Sequence, residues 1–109
     1  WYQDYPAASD FLYVLFGCDS FRPGSDSSIN MSAYCDKTVD DKMKAALTLG
    51  ITDEAAANKL WAEIDRDVTD TAAAVGLFAP KKIDFVSKRL KNYKYNSQIG
   101  FMFQLGSVQ

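Results

Sequence analysis

Thr52-Asp53-Glu54-Ala55-Ala56-Ala57-Asn58-Lys59-Leu60-Trp61-Ala62-Glu63-Ile64-Asp65-Arg66-Asp67-Val68 is the stretch that orders the rest of the chain. Ala57, Leu60, Trp61, Ile64 and Val68 recur at i, i+3, i+4, i+7 and i+11, the spacing of one helical face. Thr52, Asp53 and Glu54 stand where a helix start favours a capping oxygen and negative charge. Lys59, Glu63, Arg66, Asp67 and Asp70 fall on the opposite, solvated face. Upstream, Thr38 with Asp41 resembles a capping box. Val39, Met43, Ala46 and Leu47 then share a face until Gly50. Further upstream, Ser9 is placed to cap a short apolar helix through Phe11, Leu12, Leu15 and Phe16, with Gly17 as a left-handed stop. Asp19 to Ser32, with Arg22-Pro23-Gly24-Ser25-Asp26-Ser27-Ser28 inside it, reads as loop. Downstream the period changes. Ala73 to Phe78 is a short apolar run, Pro80 interrupts, and Ile83, Phe85 and Leu90 mix with charge in a strand-like texture. Ile99, Phe101, Phe103 and Leu105 alternate with period two. These patterns predict an α/β or α+β chain, three helices followed by two strand regions, with no internal repeat and no long linker.

The 109 residues, 48% hydrophobic and 24% charged, have the composition of a single folded domain or a piece of a larger one. The longest apolar run, Phe11 to Phe16, is far short of the roughly 18 residues that span a bilayer. The chain opens on Trp1 with no signal-peptide pattern, so the expectation is a mature segment or an excised fragment. Histidine is absent, which removes Ser-His-Asp triads, Cys-His dyads and histidine metal sites. Charge is divided along the chain. Residues 1–70 carry six Lys/Arg against thirteen Asp/Glu, a net of −7, and residues 71–109 carry six against Asp84 alone, a net of +5. Cys18 and Cys35 do not have a metal spacing, because two thiolates without further ligands leave a tetrahedral zinc site incomplete. Spacing alone leaves open a disulfide across the loop or two buried thiols. Neither a metal nor another cofactor is expected.

Several strings imitate chemistry. Asp65-Arg66-Asp67-Val68-Thr69 matches the aspartate-x-aspartate-x-threonine pattern of phosphoryl transfer, but that chemistry needs a strand end and these residues lie on the strongest helix. Asp40 and Asp41 read as acids near a helix start, favoured by its dipole. Asn30-Met31-Ser32 is a formal glycosylation sequon, a three-residue signal frequent by chance. Lys88-Arg89-Leu90-Lys91-Asn92-Tyr93-Lys94-Tyr95 interleaves basic and aromatic residues as a single-strand nucleic-acid binder does. A pI near 4.9 argues against a phosphate partner, so no nucleic acid is expected and a solvated turn between strands is preferred. A small carboxylate-dependent hydrolase using Asp4, Glu63 and Asp65 is a further reading. It requires two carboxyls across one cleft with separated pKa values, and nothing in the sequence shields Glu63 or Asp65 from water.

Trp1-Tyr2-Gln3-Asp4-Tyr5-Pro6, followed by Ser9-Asp10-Phe11-Leu12, resembles a segment of the extracellular solute-binding proteins of family 5, which serve ABC importers of peptides, nickel and related solutes. Ala33-Tyr34-Cys35-Asp36, Val39-Asp40, Leu60-Trp61-Ala62-Glu63-Ile64-Asp65 and the run Ala73 to Phe85 continue the likeness in order over nearly the whole chain. Ala73, Ala74, Val75 and Gly76 depart from it, standing where the family often has prolines. The resemblance implies that residues 1–109 form the C-terminal part of one lobe of a two-lobe, periplasmic-binding-protein-like fold. It implies a non-catalytic protein without a cofactor that captures an oligopeptide or other small solute and delivers it to a membrane permease. Its further partner would be the rest of its own chain, the upstream lobe. The implied location is extracytoplasmic, in the periplasm or as a cell-surface lipoprotein, where a Cys18–Cys35 disulfide is favoured. Carried onto this chain, Asp4 would pair with the α-amino group of the ligand and Trp1 would line the same pocket.

Overall fold

The first ordered turn, a 3-10 turn at Ala8–Asp10, runs directly into the short helix α1 (Leu12–Phe16) in the computed structural model, which describes residues 1–109. Ser9 lies inside that turn and does not cap α1. Leu12 is buried and the other side chains of α1 are half-buried, so its apolar character reflects partial cover on several sides. Gly17 follows at φ −67°, ψ 146°, an extended conformation and not the expected left-handed stop. Glycine is needed for another reason. A Cβ there would lie 2.5 Å from the backbone oxygen of Tyr13, closer than any side chain tolerates.

A second 3-10 turn, Cys18–Ser20, leads into the serine-rich loop, which returns to helix α2 (Lys37–Leu49). Cys18 and Cys35 form a disulfide across this excursion, with 4.7 Å between their Cα atoms. The α2 cap is Asp36, whose carboxylate accepts from the backbone N–H groups of Thr38 and Val39 at 2.8 and 3.1 Å. The expected capping box at Thr38 therefore lies two residues too far along. Helix α3 (Glu54–Asp70) is capped in turn by Asp53, which accepts from Ala56 N–H at 2.9 Å, so Thr52 is not its cap. An acid outcompetes the neighbouring threonine at both starts, satisfying free N–H groups and meeting the positive helix end together.

Val39, Met43 and Ala46 of α2 and Ala57, Trp61, Ile64 and Val68 of α3 are buried and form one core with Leu12. Leu47, expected in this stripe, is exposed at its edge. Lys42 on α2 pairs with Asp67 on α3, a partly exposed bridge beside the apolar seam. The whole core lies within a compact unit of residues 1–76.

Residues 77–109 form a second unit. The expected strand texture condenses there into two small antiparallel pairs. Strand β1 (Leu90–Lys91) pairs with β4 (Ser107–Val108), and β2 (Tyr95–Asn96) pairs with β3 (Gly100–Phe101). The alternating stretch 99–105 is strand only at Gly100–Phe101 and turns into a 3-10 turn at Phe103–Leu105. Gly100, at φ +81°, makes the turn into β3 with a geometry that side chains disfavour. Tyr93 stacks on Phe101, which meets Phe103 edge to face, in a small aromatic cluster with centroids 5.2 and 4.7 Å apart. The run through Ile83 and Phe85 forms no strand, because it finds no partner backbone. The chain is thus of mixed α and β content, three helices followed by short antiparallel strands.

Candidate functional site

Asp10 is only 1% exposed and turns its carboxylate back on the opening segment. Its Oδ2 accepts from the backbone N–H of Asp4 at 2.6 Å and of Tyr5 at 3.4 Å. The Ser9 hydroxyl adds a bond to the phenol oxygen of Tyr5 at 3.2 Å. The 3-10 turn Ala8–Asp10 makes this possible by reversing the chain just after Pro6-Ala7. The backbone around Asp4 is therefore held from below, while the side chains of Trp1, 57% exposed, and Asp4 stand on the surface. Both predicted ligand residues lie on one exposed segment ahead of the helical core.

A second polar cluster lies under the disulfide loop. Asp40, 2% exposed, accepts from Cys18 N–H through Oδ1 at 2.9 Å and pairs through Oδ2 with Lys44 Nζ at 2.8 Å. Lys44 also reaches Asp19 Oδ2 at 3.2 Å, and the Tyr13 hydroxyl donates to that same oxygen at 2.9 Å. The hydrogen bond to Asp40, then that to Asp19, raises the pKa of Lys44 well above its usual range. The hydrogen bond from Tyr13, then that from Lys44, holds the Asp19 carboxyl below its ordinary value. The same bond to Asp19, reinforced by burial, raises Tyr13. Tyr13, Asp19, Ser20, Arg22 and Ile29 border a cleft of about 470 Å³ beside the cluster.

Asn30 organises the loop from inside. Its Nδ2 donates to the carbonyls of Tyr34 (2.6 Å) and Gly17 (3.3 Å), and its Oδ1 accepts from Tyr34 N–H at 3.2 Å. At 2% exposure it is a structural residue in the folded chain, not an accessible glycan acceptor.

Of the carboxylates in the hydrolase reading, Glu63 and Asp65 do not share a cleft. Glu63 borders a cleft with Lys42 and Asp67, whereas Asp65 borders another with Trp61 and Asn58. The aspartate-x-aspartate-x-threonine string is helical, and the Thr69 hydroxyl bonds the Asp65 carbonyl at 2.6 Å. Within Lys88 to Tyr95, the expected solvated turn is present as an exposed turn at Lys88–Arg89 and an exposed link from β1 to β2, in which the half-buried Tyr93 ring stacks on Phe101. No group of three or more cysteine or acidic side chains is gathered that could hold a metal ion, and no helix is long and apolar enough to cross a membrane.

Asp10 and Asp40 were not singled out as organising residues by sequence reasoning. For Asp40 a signal exists, because it shares a helical face with Met43 and stands four residues before Lys44. Comparison with protein-family models, curated proteins and solved structures finds no match.

Proposed function

We propose that this chain takes part in capturing a solute that bears a free ammonium group, an oligopeptide by its chemistry, and delivers it unaltered to a membrane permease. The observation that carries this reading is the division of roles in residues 1–10. A buried carboxylate, Asp10, pins the backbone, and a second carboxylate, Asp4, and an indole, Trp1, are presented at the surface. A carboxylate is the natural partner of an ammonium, since charge-assisted bonds are about twice as strong as neutral ones. An indole face nearby adds a cation–π contribution of order 1 kcal/mol once water is excluded. In this reading the chain is the C-terminal part of one lobe of a family 5-like binding protein, and a second lobe closes over the solute by hinge motion. The disulfide supports an oxidising, extracytoplasmic location.

The test is titration calorimetry with tri- to pentapeptides. The 109 residues alone, holding only part of a two-lobe site, should show no heat of binding, and micromolar binding by them would overturn the two-lobe account. In the full-length parent, Asp4→Asn keeps the shape and removes the charge. Affinity should fall by about 2 to 5 kcal/mol, roughly 30- to several-thousand-fold, chiefly through faster dissociation. Unchanged affinity for a peptide with a free amino terminus would remove Asp4 from the ammonium site. A loss below about 1.5 kcal/mol would point to a neutral solute held by an ordinary hydrogen bond.

A further inference from the structure

Residues 77–86 make no backbone hydrogen bond, and the chain there contains neither helix, turn nor bend. The run has no assigned secondary structure and no backbone partner. Its two faces differ. Lys82 places its ammonium 5.2 Å from the centroid of the Tyr95 ring, and Asp84 accepts a hydrogen bond from the Tyr93 hydroxyl at 3.2 Å. The even positions thus engage the aromatic side chains of their own unit. The odd positions do not, and Ile83 is 90% and Phe85 98% exposed. An exposed run with unpaired N–H and C=O groups and outward apolar side chains at Ile83 and Phe85 is a template for strand addition.

We propose that residues 81–85 pair antiparallel with the same residues of a second copy of this chain, in register about Ile83. Charge selects both the occupant and the register. With Ile83 opposite Ile83, each Lys82 faces an Asp84 across the strands, twice over by the two-fold symmetry, and Phe85 lies diagonal to the partner's Ile83. Moving the centre to Lys82 sets Lys82 against Lys82, and moving it to Asp84 sets Asp84 against Asp84. A parallel pairing in register opposes like charges at both positions. A half-step register mixes charged and apolar side chains on one face. Only the arrangement about Ile83 sets each Lys82 against an Asp84 and keeps Ile83 and Phe85 on one face, with Lys81 opposite Phe85 at each end. Proline, which lacks the N–H a ladder needs, occurs just outside the run at Pro80. This inference uses none of the residues assigned to solute capture.

The 109-residue chain is tested by sedimentation velocity over a concentration series at low salt, with far-UV circular dichroism confirming that every variant keeps its helices. The wild type should dimerise reversibly. Asp84→Lys leaves four lysines facing one another, and Lys82→Asp four aspartates, so each variant alone should dimerise about tenfold or more weakly, since like-charge juxtaposition across an interface is strongly unfavourable. Mixing the two variants should restore a heterodimer, because every cross-strand pair is then Asp against Lys. A chain that stays monomeric throughout overturns the proposal. So does a dimer indifferent to both substitutions, or one that the mixture fails to rescue.

Discussion

Asp40 shows what a single side chain contributes here. Its carboxylate bonds a backbone N–H beside the disulfide and pairs with a lysine one turn along its own helix. Asp40→Ala leaves the Cys18 N–H without its acceptor, a loss of about 1 to 3 kcal/mol, which urea unfolding should register as a lower midpoint. Asp40→Asn retains an acceptor oxygen and should lose less. The phenol of Tyr13 provides a pH readout of the same cluster. Its folded pKa lies above the ordinary 10.0, raised by the bond to Asp19, so its contribution to stability is present below pH 10 and fades as pH rises through the folded value. Asp19 works at the other end. Its folded pKa lies below the ordinary 3.8, so its contribution is present above that value and is lost as pH falls through the lower one. Asp19→Asn should move the Tyr13 transition back toward pH 10, seen in tyrosinate absorbance, and an unmoved transition would show that the bond does not form in solution. A buried acid of this kind is hard to read from sequence. Its burial depends on an N–H twenty-two positions away, and locally it looks like any charge near a helix start.

At the scale of elements, the helices were legible and the strands only in part, at Leu90 and Phe101. A stripe such as Ala57, Trp61, Ile64 and Val68 carries its own geometry, since each turn repeats the same face. Strand character needs a second backbone, and the alternation around Ile83 and Phe85 says nothing of whether one is present. Helix starts were legible to within one or two residues, with Asp36 and Asp53 taking the roles expected of Thr38 and Thr52. Asp36→Ala and Asp53→Ala should each lower stability by about 1 kcal/mol in denaturant unfolding, whereas Thr52→Ala, lacking a capping bond, should have a smaller effect. The larger loss is expected at Asp36, whose carboxylate serves two N–H groups where Asp53 serves one. The exposed segment presenting Trp1 and Asp4 was legible as a motif, but its anchoring by Asp10 was not, because a six-residue backbone-to-side-chain bond leaves no periodic trace.

Over the whole molecule, the buried apolar core and the disulfide belong to residues 1–76, and the second unit is held by two short strand pairs and an aromatic cluster. The bare run that begins the second unit has a consequence for how the protein withstands digestion. Proteases grip their substrates as extended strands through the backbone groups that residues 77–86 leave unbonded. Lys81 and Lys82 put two trypsin targets in that run, while Arg22, in the other long loop, is followed by Pro23 and resists the enzyme. Sparing trypsin should nick the chain first at Lys81 or Lys82 and release an N-terminal fragment with its helical signal intact; helix loss in step with the first cut would contradict this. Because the scissile bonds lie within the segment proposed to pair with its copy, nicking should slow as the protein is concentrated. Cleavage half-life then becomes a clock for self-association.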